Sequence, residues 1–161
     1  MVRVSVIIPT YCESATIAGV LEAVHDELSA HAHELLVVDD SPDSATAKAA
    51  AGSDIIPNSL WRPSGGGSLR IFRGPGQGLG PAVVKGFQEA QGDRLVVMDG
   101  DGQHPATAVP ELTTALEDVD VAVGSRHAGG TIDANWSPER FAMSFGASCI
   151  AWTAVPESRP L

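Results

Sequence analysis

Apolar, β-branched runs alternate with helix-spaced segments along the chain. Arg3 to Pro9, RVSVIIP, predicts a buried first strand. From Ser14 to about Ala30, Ile17, Val20, Leu21, Val24 and Leu28 recur at helical spacing, with Ser14 placed as the N-cap. ELLVVDD, Glu34 to Asp40, predicts a second strand that ends in acids, and Asp43 to about Ala51 a short alanine-rich helix. Asn58 to Ser68, NSLWRPSGGGS, reads as a Pro/Gly/Ser loop. LRIFR, Leu69 to Arg73, predicts the third strand, and GPGQGLG a loop. Pro81 to Ala90 predicts a helix whose proline suits the first turn. RLVVMD, Arg94 to Asp99, predicts the fourth strand, Thr107 to Glu117 a helix, and VDVAVGSR, Val119 to Arg126, a fifth strand. Ser137 to Thr153 reads as helical and VPESRPL as a frayed end.

Strand and helix in repeated alternation imply an α/β fold, a mostly parallel sheet with helices on both faces. Ligands gather at the carboxyl ends of such strands. The suggestive polar residues fall there: Thr10 to Glu13, Asp39 and Asp40, Arg73, Asp99 to His104, and Ser125 to His127. With 161 residues the chain is expected to form one domain with a sizeable core.

Charge changes the picture by exclusion. The formal net charge is −10, and Lys48 and Lys85 are the only lysines. A nucleic-acid-binding surface is not expected. The lysine deficit leaves two readings, an acidic soluble protein or one adapted to high salt, and favours the second. No apolar run reaches the roughly 20 residues of a membrane span. The apolar stretch Ala142 to Val155 is broken by Ser144, Gly146 and Ser148, and the N-terminus reads as a strand, not a signal peptide. Cys12 and Cys149 have no metal-site or disulfide spacing, which fits a reducing cytoplasm.

Four constellations carry candidate chemistry. Asp99-Gly100-Asp101-Gly102-Gln103 offers two carboxylates and an amide oxygen at alternate positions, a hard oxygen set suited to Mg²⁺ or Mn²⁺ beside a phosphate. The bland alternative is a solvated turn. Asp39 and Asp40 read equally as ribose-binding acids and as caps for the next helix. GPGQGLGPA reads first as a turn before a helix, whose N-terminus could still face an anion. Arg126 and Arg140 suit phosphate binding and, no less well, surface ion pairing. His104 and His127 read as hydrogen-bonding loop residues, and His25, His31 and His33 as surface. Trp61, Trp136 and Trp152 form no pattern, although Trp136 could meet a sugar or lipid.

VSVIIPTYCE, LLVVDDSPD, GLGPAVVKGF, LVVMDGDGQHP and VAVGSR, in this order, resemble the inverting nucleotide-sugar glycosyltransferases of the GT-A fold. They resemble in particular the dolichol-phosphate mannosyltransferase-like branch. The block DGDGQHP is more specific than a bare DxD. The resemblance covers about Val4 to Arg126 and thins through Arg140 to Ala147. It implies a Rossmann-like domain, partial over 1–161, with its nucleotide-binding part at about 1–127. Pro9, Tyr11 and Glu13 would line the nucleoside pocket, with Asp39 or Asp40 on base or ribose. Asp99 and Gly100 would meet the donor, Asp99, Asp101 and Gln103 would hold Mg²⁺ or Mn²⁺, and Arg126 and Arg140 would meet phosphates. Asp99, Asp101 and Arg126 are the catalytic candidates.

The implied reaction moves a hexose from GDP-mannose or UDP-glucose to a polyprenyl or dolichyl phosphate, at the cytoplasmic face of a membrane. The acceptor oxygen is already ionised near neutral pH, so no strong general base is needed. Cys12 replaces the family's usual asparagine. Members of the family continue beyond the point matching Leu161, so an inactive or binding-only shortened relative is the alternative, and a membrane or partner chain would supply the rest. A haloacid-dehalogenase-like phosphatase, which also has a DxDG strand end, is a remote third reading.

Overall fold

The computed structural model describes residues 3–53 and 66–124. The chain divides into two compact units, Met1–Val123 and Gly124–Leu161, and every element below belongs to the first. Its elements run β1 (Arg3–Thr10), α1 (Ile17–Glu27), β2 (Ala32–Asp39), α2 (Ala45–Ala51), β3 (Gly66–Arg73), α3 (Leu79–Glu89), β4 (Arg94–Val97) and α4 (Ala108–Ala115). The strands form one parallel sheet in the order β3-β2-β1-β4, the expected α/β architecture.

Alternation along each strand sorts side chains between the faces. Val4, Val6 and Ile8 of β1, Leu35 and Val37 of β2, Leu69 of β3, and Val96 with the following Met98 share one core. Ile17, Val20, Leu21, Val24 and Leu28 of the first helical segment fill it from above, joined by Ala50 of α2 and Val109 of α4. Burying each large aliphatic side chain here contributes roughly 1.5–3 kcal/mol. α3 covers the opposite face, across β1 and β2. It lies so close that a Cβ on Gly86 would overlap the side chain of Ile7.

Several boundaries differ from expectation. α1 begins after Thr16, not Ser14, and no side chain caps it. β3 starts at Gly66, inside the predicted loop, because Gly66 and Gly67 pair with Ala32 and His33 of β2. Gly67 is required there, since a Cβ would overlap the rings of His33 and His25. β4 stops at Val97, two residues early, and α4 is shorter than predicted at both ends.

The fifth strand is not formed over Val119–Gly124. Alternating valines predict a strand only if one face is buried, and Val119, Val121 and Val123 are all exposed. His33 is not on the surface but fully buried, its Nε2 2.9 Å from Nδ1 of His25. The Asn58–Gly65 part of the predicted loop, with Trp61, and Trp136, Trp152, His127, Cys149 and the helix predicted over Ser137–Thr153 lie outside the described residues.

Candidate functional site

The carboxyl ends of β1, β2 and β4 meet at one edge. Thr10 ends β1 in register with Asp39 of β2, and its hydroxyl donates to Asp39 Oδ1 at 3.1 Å. Asp39 is buried, and it also accepts from the Ser41 backbone at 3.1 Å and from the Ser41 hydroxyl. Beyond Thr10 the chain turns sharply. Cys12 is exposed and adopts φ 59°, in the left-handed region where asparagine is far commoner than most residues. The turn is pinned from below: the Cys12 amide donates to Ser41 Oγ at 2.8 Å and the Glu13 amide to Thr46 Oγ1 at 3.1 Å. Ser41 and Thr46 thus support the site although DDSPDSAT reads locally as helix caps. Tyr11 projects outward, 65% exposed, while Pro9 is buried in β1 opposite Val38.

Gly100 joins the two other carboxylates to this edge. Its carbonyl accepts from Thr16 Oγ1 at 2.9 Å, tying the Asp99–Gln103 turn to the start of α1. A Cβ at Gly100 would overlap Glu13 Oε2 and lie 2.8 Å from Thr10 Cγ2. Glu13 therefore sits directly behind the turn. Asp101 Oδ1 accepts from the Gln103 amide at 2.9 Å, Gly102 takes φ 77°, and Asp99 Oδ2 lies 3.2 Å from His104 Nε2. Asp99 is exposed and Asp101 partly so, leaving carboxylate oxygens open toward solvent.

Acids crowd at this edge, with His104 beside Asp99. Among the described residues Glu13 Oε2 is buried with no hydrogen-bond partner. Burial first, then the charges of Asp101, Asp99 and Asp39, push the Glu13 carboxyl up to about 7. Among the described residues no three His, Cys, Asp or Glu side chains already close into a metal site. The orphaned oxygen and the crowded like charges nevertheless fit a divalent cation at this edge, since added positive charge would relieve both.

Asp40 has a different task. Its Oδ1 accepts from the Gly76 amide at 2.8 Å and its Oδ2 from the Gly78 amide at 3.0 Å. Gly76 and Gly78 take φ 71° and 90°, and Gly78 is the N-cap of α3. The glycine loop is thus folded around the chain's own carboxylate. The anion at this helix start is Asp40, so the turn reading of GPGQGLGPA holds, and Asp40 anchors the loop between β3 and α3. Arg73 is exposed beside it, its guanidinium 3.5 Å from the Asp43 carbonyl. Arg126 and Arg140 lie outside the described residues. The edge therefore brings together Glu13, Asp39, Asp99, Gly100 and Asp101, with Tyr11 at its rim.

Residues 5–158 match the model of glycosyl transferase family 2. The chain is 37% identical over 161 residues to a dolichol-phosphate mannosyltransferase of Pyrococcus furiosus, covering 99% of this chain and 43% of that protein. It is 34% identical over 152 residues to an undecaprenyl-phosphate mannosyltransferase of Micrococcus luteus, covering 91% and 57%. A solved mannosyltransferase of Pyrobaculum calidifontis, in complex with GDP-Man and Mn²⁺, is similar with a TM-score of 0.54 and 27% identity. That likeness covers 73% of this chain and 33% of the other. The chain spans about half the length of the curated relatives it matches.

Proposed function

The chain belongs to glycosyl transferase family 2, and we propose that it serves transfer of a hexose from a nucleotide-diphosphate sugar to a polyprenyl phosphate, with inversion. Membership leaves the phosphatase reading without support. Relatives named for mannosyl transfer, and a structural neighbour holding GDP-Man, favour GDP-mannose over UDP-glucose as donor. The observation that carries the reading is the crowded carboxylate edge: Asp99 and Asp101 open to solvent, with the orphaned Glu13 oxygen behind them.

In this proposal Asp101, Asp99 and Gln103 hold Mg²⁺ or Mn²⁺. The ion, when bound, offsets the negative charge that builds on the departing nucleoside diphosphate. The chain's own residues do the positioning. Thr16 holds Gly100 and so fixes the turn that carries both carboxylates. Ser41 and Thr46 fix the β1 turn, so that Tyr11 stands at the rim where a nucleoside would lie. Asp39, held by Thr10 and Ser41, keeps acceptor capacity for a base or ribose hydroxyl. Arg126 and Arg140 would meet phosphates of donor or acceptor. The acceptor phosphate attacks the anomeric carbon as an anion, so no side chain must remove a proton.

Among the described residues no helix is long and apolar enough to cross a membrane. We place the protein at the cytoplasmic face of a membrane, where a polyprenyl phosphate would be presented. The test is calorimetric titration with GDP-mannose and with UDP-glucose, with and without Mn²⁺, in high salt to suit the acid-rich composition. Metal-dependent binding of GDP-mannose is expected. Asp101→Ala should weaken it about a hundredfold without lowering the unfolding temperature, since among the described residues Asp101 accepts only the Gln103 amide. Binding that ignores both metal and Asp101 would sink the proposal.

A further inference from the structure

Among the described residues, the outward side of α3 differs from those of α1 and α4. α1 presents the exposed acids Glu22, Asp26 and Glu27 to solvent, and Glu111, Glu117 and Asp118 lie exposed on and after α4. α3 presents Val84 and Phe87, which are 52% and 43% exposed, and Leu79, the first residue of the helix, is 63% exposed at its end. A surface helix ordinarily keeps polar residues on its outer face, and one that is apolar all round normally has something against both sides. Here the inner side, Ala82 and Gly86, already lies on the sheet. A shallow cavity of about 530 Å³, lined by Pro75, Gly80, Pro81, Val84, Lys85 and Gln88, runs along the outer side. On the neighbouring edge strand, Leu95 and Val97 are also exposed.

Charge selects the occupant. From Gly74 to Gln88 the chain has no acid, although its net charge is −10. Glu89, which closes α3, is held by Arg70, with Nη2 3.3 Å from Oε2. Lys85 stands on the flank of the apolar face, its Nζ 5.9 Å from the centre of the Phe72 ring, and exposed Arg73 precedes the loop. An anionic lipid surface would not repel this face. It also begins at the right place. Asp40 clamps the loop before α3 to the carboxyl end of β2, so Pro75, Leu79 and Pro81 stand at the edge that carries the carboxylates.

We propose that the outer face of α3, with the loop before it, is the surface by which this protein lies on a lipid bilayer. Val84 and Phe87 enter the acyl boundary, with Leu79 at the helix start beside them, and Lys85 meets headgroup phosphate. This inference rests on the proposed polyprenyl-phosphate acceptor, whose tail resides in the bilayer while its phosphate must reach the carboxylate edge.

Flotation with vesicles of phosphatidylcholine and phosphatidylglycerol, at about 3:1, tests it. The wild type should float, and Val84→Asp/Phe87→Asp should reduce the floated fraction at least about tenfold. Ala23→Asp, on the exposed side of α1, should float as the wild type does. Because both α3 positions are exposed, the double variant should keep its unfolding temperature; Val84→Ser/Phe87→Ser, which adds no charge, should show a smaller loss in the same direction. A wild type that does not float, or a double variant that floats undiminished, overturns the proposal. So does a wild-type dimer in sedimentation that the double variant converts to monomer, because the patch then belongs to a second copy. Donor titration separates this from the functional reading. Flotation through α3 without GDP-mannose binding removes the assigned donor and leaves the surface. Metal-dependent donor binding without flotation does the reverse.

Discussion

Two glutamates with buried oxygens sit toward opposite ends of one sheet, and their surroundings differ completely. Glu34, in the amino half of β2, is fully buried and fully paired. Its Oε1 accepts from Ser5 Oγ and from the Gln91 amide, both at 2.6 Å, and its Oε2 meets Arg70 Nη1 at 3.3 Å. Ser5 Oγ in turn accepts from the Gly92 amide at 2.8 Å. Glu13, just beyond β1 at the carboxyl edge, has a buried oxygen with no partner and faces further carboxylates. A paired buried carboxylate ties β1, β2, β3 and the turn before β4 together. An unpaired one among like charges costs the fold stability when ionised, and in the proposed reading its place is kept for a ligand.

The contrast can be broken at Glu34 first. Glu34→Ala leaves Arg70 to Glu89 alone and takes one acceptor from Ser5 and from the Gln91 amide, and should cost about 2–4 kcal/mol in urea unfolding. Donor affinity per folded molecule should be unchanged. A loss below about 1 kcal/mol would place Glu34 with the surface ion pairs. Gly100→Ala comes next. Its new methyl must displace Glu13 and press on Thr10, at about 1–3 kcal/mol, and because it moves the Asp99–Gln103 turn it should weaken donor binding as well.

Smaller effects are read from pH. Glu13 holds its proton more tightly folded, at about 7, than at its ordinary 4.5. The folded state then binds more protons between these values. Its contribution is full below about 4.5 and is lost as pH rises through about 7. Relative to Glu13→Gln, the metal-free wild type should lose a few degrees of unfolding temperature between pH 5 and 8. Added Mn²⁺ should shrink that difference.

The buried His33 slopes the other way. Burial chiefly, aided by neighbouring His25, lowers its pKa from the ordinary 6.5. The unfolded chain then binds the extra proton. The contribution of neutral His33 is full above about 6.5 and is lost as pH falls below it. Wild type should lose about two degrees between pH 7 and 5.5 that His33→Gln does not.

The order of elements through β4 and the DGDGQHP turn were legible because they rest on local periodicity and on residue types that few other arrangements require. What escaped was non-local. Gly66 and Gly67 look like linker, yet they are strand because β2 pairs with them and because His33 and His25 need the missing Cβ. The valines at 119, 121 and 123 look like strand, yet no neighbour covers them. Asp40 could be read as a cap or a ribose ligand. Its service to Gly76 and Gly78 depends on a loop far along the chain. Likewise the three carboxylates around Glu13 arrive from two other strands.

The parallel sheet also dictates the order in which the molecule can be assembled. β1 and β2 meet across a separation of 29 residues, but Arg3 of β1 must wait for Asp93, 90 residues on. Until β4 arrives, the other edge of β1 stays bare during synthesis. Closing so long a loop before any contact repays it makes β4 docking the slow step, and the interval before it is when nascent chains are most exposed to mispairing with one another.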